Sequence, residues 1–318
     1  MNPSADNHQK APGSPSPVNR TSLPASLIGR TVAGVQVEKL LGRGGMAEVY
    51  LGQHLELNRS VALKILLDNL RDDPHQMELL QREAAALVAM EHPNIVQCVD
   101  CNVYQNRPYI IMELVEGITL QDRLDYLQAR GLLPSLFIVN AVVHSAASAL
   151  DYAHRRGVIH RDLKPANLML LGPEGPLDAY SPLPKEVKIV LADFGVARLV
   201  DATEQQGMVV GTPAYMSPEQ ARAGKVDARS DIYSLGVIAY ELLVGEVPYQ
   251  WPVGFGGDAR KEHQQALARP MPNTPDEVQK VVKRALGEQA SGRYPRASLF
   301  ARSLRQAVSK TGERDLLE

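Results

Sequence analysis

The sequence has no surplus of basic charge. It carries 34 Lys and Arg residues against 36 Asp and Glu residues, which gives a formal net charge of −2. Domains that bind nucleic acid normally carry a basic face that neutralises phosphates. The charge balance therefore gives no support to a nucleic-acid partner.

Long apolar runs are also missing. No stretch of about 18 apolar residues is present, so the sequence predicts no membrane span. The first residues lack the apolar core of a secretory signal peptide. Residues 1–29 are rich in Pro, Ser, Asn and Gly and poor in aromatics, a composition typical of a disordered tail. A cytoplasmic location is expected.

Cysteine is scarce, with Cys98 and Cys101 spaced C-x-x-C. A zinc site needs two more ligands of similar type, and none is paired nearby. The surrounding segment, IVQCVDCNVY, is strand-like, and in a regular strand residues three apart point to opposite faces. This favours Cys98 as a small buried hydrophobe rather than a redox or metal-binding residue.

A polar loop stands out at residues 158–169, VIHRDLKPANLM. Apolar pairs on both sides indicate that it is held between buried segments. Pro165 excludes a helix through the middle, because its ring fixes φ and removes a donor. Lys164, before the proline, is expected to be extended. A stiff loop carrying Asp162, Lys164 and Asn167 is a typical place for catalytic groups.

Two further segments favour phosphate chemistry. In LGRGGMAEVYLG, which starts at Leu41, glycines 42, 44 and 45 allow backbone N–H groups to approach a phosphate. In VALKIL, Lys64 lies within an apolar strand, which is costly unless a carboxylate pairs with it. The helical pattern of residues 76–90 supplies Glu83 as the expected partner and Glu78 as the alternative.

These motifs resemble the protein kinase family. The loop matches its H-R-D-L-x-x-x-N pattern, and the glycine-rich segment matches G-x-G-x-x-G-x-V except that Ala47 replaces the third glycine. The motifs are most similar to those of the bacterial branch of eukaryotic-like Ser/Thr kinases. The resemblance implies an α+β, bilobal fold over residues 30–309. A small N-lobe, about 30–114, has an antiparallel β-sheet plus one helix. A larger, mainly helical C-lobe covers about 115–309, before a charged tail at 310–318.

The resemblance also implies catalytic roles. Asp162 is the base that accepts the proton of the substrate hydroxyl, and Lys164 neutralises charge on the transferred phosphoryl group. Lys64 holds the α- and β-phosphates of ATP. Asn167 and Asp193, the latter from a D-F-G motif, hold Mg²⁺, with Mn²⁺ as an alternative ion.

Further residues are assigned to the nucleotide by the same resemblance. Val49 covers the adenine ring, Met112 guards the back pocket, and backbone groups of Glu113 and Val115 meet the adenine edge. The expected ATP-binding residues are Leu41, Gly42, Arg43, Gly44, Gly45, Met46, Ala47, Glu48, Val49, Ala62, Lys64, Glu83, Met112, Glu113, Val115 and Met169.

Residues 196–219 resemble a kinase activation segment. Thr203 is the hypothetical activating phosphorylation site, and Thr212 is expected to face the substrate and bond Asp162 and Lys164. Three residues are expected to be structural. Glu219 and Arg293 form a pair, and Asp231 caps the backbone of the catalytic loop.

The resemblance thus implies a Ser/Thr protein kinase that uses ATP, acts on protein substrates and pairs with itself for autophosphorylation. A pseudokinase scaffold is one alternative, although such proteins typically lack Lys64, Asp162 or Asp193. A small-molecule phosphotransferase is another, although those lack an activation segment ending in Pro-Glu. Residues 171–186 form an expanded loop, either a surface insertion or a recognition element.

Overall fold

The structure is a computed structural model that describes residues 27–44, 47–66, 84–173, 177, 183–184, 186–194, 213–222, 224–249 and 269–310. Some expectations fall on residues outside these ranges. They concern Gly45, Met46, Glu78, Glu83, Thr203 and Thr212.

An antiparallel sheet of six strands forms the N-terminal part, in the order β1-β2-β3-β4-β6-β5. Residues 84–88, between β4 and β5, are helical. Alternation of buried and exposed positions along these strands gives the sheet one face against the core. The strands are β1 (Thr31–Val32), β2 (Val35–Arg43), β3 (Ala47–His54), β4 (Arg59–Leu66), β5 (Cys98–Tyr104) and β6 (Arg107–Glu113).

Helices dominate the C-terminal part. They are α1 (Leu120–Gln128), α2 (Leu136–Arg155), α3 (Pro218–Ala221), α4 (Ala228–Val244), α5 (Asp276–Ala285) and α6 (Ala297–Ser309). A small antiparallel sheet joins them, made of β7 (Ile118–Thr119), β8 (Leu168–Leu171) and β9 (Lys188–Leu191). This sheet carries the polar loop on one side and Asp193 just beyond its last strand.

Helix α4 is the buried centre of the C-terminal part. Residues 230–243 are all buried, so the helix has no solvent-facing side over most of its length. Gly236 lies against α5, where an added Cβ would come 2.9 Å from the Cβ of Ala285. Such close packing explains a glycine in the interior of a helix, where its backbone freedom is otherwise a disadvantage.

The two largest hydrophobic clusters among the described residues form the core. The smaller lies within the N-terminal sheet, around Val35, Leu63 and Ile111. The larger runs from Leu87 and the β5–β6 hairpin into the helices of the C-terminal part. The expected α+β fold, with a sheet-rich N-lobe and a helical C-lobe, is confirmed.

The expected orientation of the two cysteines is wrong. Strand β5 has a bulge between Cys98 and Asp100, so Cys98 pairs with Met112 and Cys101 with Ile110. The extra residue shifts the alternation and puts both thiols on one face. Both cysteines are buried and unbridged, and burial raises the pKa of each thiol to about 12. This agrees with the expectation of a buried hydrophobe at Cys98.

Among the described helices, α2 is long and apolar enough by composition to cross a membrane. Its buried positions pack instead against the rest of the protein, including α4 and α6. A core helix with these contacts passes the same composition test, so α2 gives only weak support to a membrane span.

Candidate active site

The polar loop is braced by its own side chains. The Nζ of Lys164 donates to Oδ2 of Asp162 at 2.9 Å, and Nδ2 of Asn167 donates to the carbonyl of Asp162 at 2.7 Å. Lys164 is extended, as expected before Pro165. A short 3₁₀ turn, Pro165–Asn167, begins at the proline, so no helix passes through Pro165. Proline fits the first position of such a turn, where its missing N–H would lack a partner anyway.

Asp231, in the first turn of α4, is hydrogen-bonded to the backbone of the polar loop. Its carboxylate accepts from the backbone N–H groups of His160 at 2.9 Å and Arg161 at 2.8 Å, and from Nε2 of His154 at 2.7 Å. Burial alone would raise the pKa of Asp231, but the His154 hydrogen bond and these other donors lower it below its ordinary value. The carboxylate therefore stays charged and fixes Arg161 at a φ of +65°.

Asp193 is tied to the same loop. The N–H of Ala192 donates to the carbonyl of Asn167 at 2.9 Å, and the carbonyl of Ala192 lies 3.0 Å from Nε2 of His160. The His160 ring also packs against Phe194, with centroids 4.7 Å apart. These contacts bring the end of β9 beside the loop.

Lys64 approaches Asp193 from the opposite wall. Its Nζ contacts Oδ1 of Asp193, and its side chain is only 12% exposed. Lys64 lies on β4 and Asp193 follows β9, so this contact joins the two lobes. The expected partner Glu83 lies outside the described residues. In the described part of the chain, Asp193 balances the buried cation.

Strands of the N-terminal sheet supply the wall beside Lys64. Val49 pairs directly with Lys64, and Ala62 pairs with Met112. Met112 lines a small cavity of about 30 Å³ that also touches Asp193 and Phe194, as expected for a residue at the back of a pocket. Met169 lies on β8, in the C-terminal part of the protein.

The connection after β6 reaches from the sheet toward β7. The N–H of Glu113 donates to the carbonyl of Gln97 at 3.0 Å, and Oε1 of Glu113 accepts from the N–H of Gln97. Glu113 could therefore meet an adenine only through its carbonyl. Val115 follows in the irregular segment between β6 and β7.

Side chains of the glycine-rich hairpin contact one another. Glu48 is buried, accepts a hydrogen bond from Tyr50 Oη at 2.7 Å and forms an ion pair with Arg43. Burial, then the Glu48 carboxylate, raises the pKa of Tyr50 to about 12. A nucleotide contact from Glu48 would therefore come from its backbone. Leu41, Gly42 and Gly44 lie on the same hairpin.

Glu219 and Arg293 are brought together as expected. Nη1 and Nη2 of Arg293 donate to the two carboxylate oxygens of Glu219 at 2.7 and 2.8 Å, and Ser230 Oγ donates at 2.6 Å. Burial would raise the pKa of Glu219, but Arg293 and Ser230 lower it. The Arg293 side chain is fully buried. It also donates to the carbonyls of Gly287, Arg229 and Glu288.

Gln220 is a residue that the sequence analysis did not identify. Its Nε2 donates to the carbonyl of Arg161 at 2.7 Å, while its Oε1 accepts from the N–H and Oγ of Ser217 at 3.2 and 3.1 Å. It thus connects α3 to the polar loop. The pattern Ser-x-x-Gln of a capping box was visible in the sequence and could have marked Gln220 as a cap.

Comparison with known families agrees with this geometry. A family model described as "Protein kinase domain" matches residues 35–303. The chain belongs to the protein kinase family. Solved kinase structures resemble it as well. The PknI kinase domain of Mycobacterium tuberculosis has a TM-score of 0.68 at 28% identity, over 89% of this kinase chain and all of the other.

Bacterial kinases are among the curated relatives of this kinase chain. Serine/threonine-protein kinase Pkn1 of Myxococcus xanthus is 36% identical over 292 residues, and Serine/threonine-protein kinase PknB of Mycolicibacterium smegmatis is 36% identical over 273 residues. These matches cover 89% and 83% of this chain. The chain spans only about 40% of the length of these relatives.

Proposed function

We propose that this chain transfers the γ-phosphoryl group of ATP to Ser and Thr hydroxyls of proteins. The observation that carries the proposal is the meeting of Lys64 with Asp193 beside the loop that holds Asp162. Lys64 from the N-lobe and the carboxylates of Asp162 and Asp193 from the C-lobe thus support a phosphate-binding cleft between the lobes. The names of the relatives, serine/threonine-protein kinases, support the same activity.

Asp162 is the proposed base. Its carboxylate is partly exposed, at 27%, and Lys164 contacts only one of its oxygens in the described residues. Oδ1 is therefore available to accept the proton of a substrate hydroxyl as that oxygen attacks phosphorus. Lys164 is close enough to Asp162 to balance charge on the transferred group.

Mg²⁺ fits the side chains present. Among the described residues no cluster of three or more Asp, Glu, His or Cys could hold a metal alone. Mg²⁺ is usually held by one or two protein oxygens together with substrate phosphates. Asp193 supplies a carboxylate, and Asn167 keeps Oδ1 available because its Nδ2 donates to Asp162. The bound ion would neutralise charge on the phosphates, and Mn²⁺ could replace it.

The remaining assignments belong to the same proposal. Thr203 would be phosphorylated, Thr212 would face the substrate, and Glu83 would join Lys64 once nucleotide and metal occupy Asp193. Protein substrates would include a second copy of the chain. A cytoplasmic location suits two free, buried cysteines, since reducing compartments keep thiols unbridged.

The test measures phosphate transfer from ATP to a generic protein substrate and to the chain itself, by mass spectrometry, with and without added Mg²⁺. Asp162→Asn should lower kcat by about 10²–10⁴-fold, because the base is lost. Asp276→Asn, at an exposed position on α5, is the matched control and should be fully active.

Three results would reject the proposal. ATP binding without turnover in the unsubstituted protein would indicate a pseudokinase scaffold. Phosphate transfer only to small molecules would indicate a small-molecule phosphotransferase. Activity that survives Asp162→Asn at the original rate would show that another group, or a contaminant, is responsible.

A further inference from the structure

A second cleft lies between α2 and α6, away from the residues of the catalytic site. Its volume is about 360 Å³, within the size range of small-ligand pockets. Small side chains, Ala147 and Ser148 on α2 and Ser298 and Ala301 on α6, line the space between the helices. None of its lining residues is assigned to the catalytic site or lines the small cavity beside Asp193, so it is a separate candidate site.

Arginines stand on both walls of this cleft. Arg155 comes from the end of α2, whereas Arg302 and Arg305 come from α6. Residues three apart on a helix share a face, so both α6 arginines reach the same side. Within the described ranges, none of these three guanidinium groups forms an ion pair or a hydrogen bond. We call this cleft the arginine groove.

The carboxylate in the arginine groove already accepts hydrogen bonds from backbone N–H groups. Asp151 is the carboxylate among its described lining residues, and its two oxygens accept from the backbone N–H groups of Ala297 and Ser298 at 2.9 and 3.2 Å. Asp151 therefore stabilises the first turn of α6 rather than pairing with the arginines. The groove keeps a net positive charge.

His92 also lines the arginine groove. Its Nδ1 accepts from the N–H of Asn94 at 3.1 Å, and its Nε2 lies 3.2 Å from Ser148 Oγ. Burial, then the nearby Arg155 and Arg156, lowers the pKa of His92. A neutral His92 satisfies its neighbours and leaves the arginines to attract an anion.

We propose that the arginine groove binds a phosphorylated Ser or Thr side chain of a protein segment. A phosphate monoester has three acceptor oxygens and about two negative charges, which suit guanidinium forks approaching from two walls. The cavity has room for the phosphate and for neighbouring parts of the segment. The source of such segments rests on the proposed function, since a Ser/Thr kinase produces them.

The test uses the full chain carrying Asp162→Asn, without nucleotide, so that binding is separated from catalysis. The probe is a fluorescein-labelled short peptide with one central phosphothreonine flanked by Ala and Gly, followed by anisotropy. Its unphosphorylated twin should bind at least about tenfold more weakly, because the charge-assisted bonds are absent.

Matched substitutions locate the site. Arg302→Ser combined with Arg305→Ser should weaken phosphopeptide binding about tenfold or more. Arg155→Ser tests the other wall and should weaken it too. Arg30→Ser combined with Arg59→Ser removes the same charge from exposed positions of the N-lobe and should leave binding unchanged. Circular dichroism checks that each variant is folded.

Other outcomes overturn the proposal. Equal binding of both peptides would show that the phosphate is not recognised. Equal losses in both double variants would show general charge attraction. Inorganic phosphate competing as strongly as the peptide would leave a site for a small anion only. Co-sedimentation with phosphatidylserine vesicles that requires Arg302 and Arg305, without peptide binding, would assign the groove to a membrane surface. None of these results would alter the phosphate-transfer assay.

Discussion

Replacing Gln220 by methionine keeps the length of the side chain but removes its amide. The substitution breaks the bond to the carbonyl of Arg161 and the two bonds from Ser217. A neutral hydrogen bond contributes about 0.5–1.5 kcal/mol, and a group left buried without a partner costs about 1–3 kcal/mol. Because Gln220 is only 9% exposed, we expect a loss of about 2–4 kcal/mol in the free energy of unfolding.

Activity should fall as well, because Arg161 precedes Asp162 and has a left-handed backbone conformation. Such a conformation costs about 1–3 kcal/mol and persists only where neighbours hold it. With its carbonyl released, the loop can relax and move the base. We expect kcat to fall about tenfold, equivalent to about 1.4 kcal/mol. The KM for ATP should stay unchanged, since Lys64 and the connection after β6 are not touched.

Gln279→Met is a matched control. Gln279 also makes three hydrogen bonds, to the N–H and carbonyl of Met271 and to the carbonyl of Thr274, but it lies at α5. Gln279→Met should lower the free energy of unfolding, measured in urea, by a similar amount, while kcat stays unchanged. Equal kcat values for the two methionine variants would refute a positioning role for Gln220. Gln220→Glu, which keeps acceptors but removes the donor to Arg161, should resemble Gln220→Met in kcat.

Three further outcomes follow from the buried ion pair and the loop anchor. Arg293→Met should cost about 3–5 kcal/mol in urea unfolding, because the hydrogen bonds of a fully buried guanidinium are lost and Glu219, only 17% exposed, stays charged without its partner; a cost below about 1 kcal/mol would contradict this. Since the folded-state pKa of Glu219 is lowered, its contribution to stability is present above about pH 4.5 and is lost as pH falls through the folded-state pKa. The difference between the original protein and Arg293→Met should therefore shrink in acid, and a constant difference from pH 7 to pH 3 would show that Glu219 is not the linked group. Asp231→Asn should cost about 1.5–3 kcal/mol and lower kcat, because the amide cannot accept from His160, Arg161 and His154 as the carboxylate does; unchanged kcat by steady-state assay would contradict it.

Local sequence patterns were sufficient to predict much of the fold and of the site. Gly, Pro and apolar alternation predict the hairpins, the polar loop and the buried strands, because these depend on neighbouring residues. The pairing of Lys64 with a carboxylate was also predictable, since an apolar strand cannot hold a free cation. That Asp193 fills this role in the structure depends on residues 129 positions apart.

Other features lie beyond local patterns. The bulge in β5 is decided by its pairing with β6, so the shared face of Cys98 and Cys101 could not be predicted from spacing. Gln220 meets Arg161 across 59 positions, and only the packed fold brings them together.

The two buried, unbridged cysteines are expected to react slowly with alkylating reagents. A thiol with a pKa of about 12 has almost no thiolate at neutral pH, and alkylating reagents attack the thiolate. Modification of Cys98 or Cys101 therefore requires the β5–β6 hairpin to separate from the core. The alkylation rate of the native protein thus measures how often this region opens.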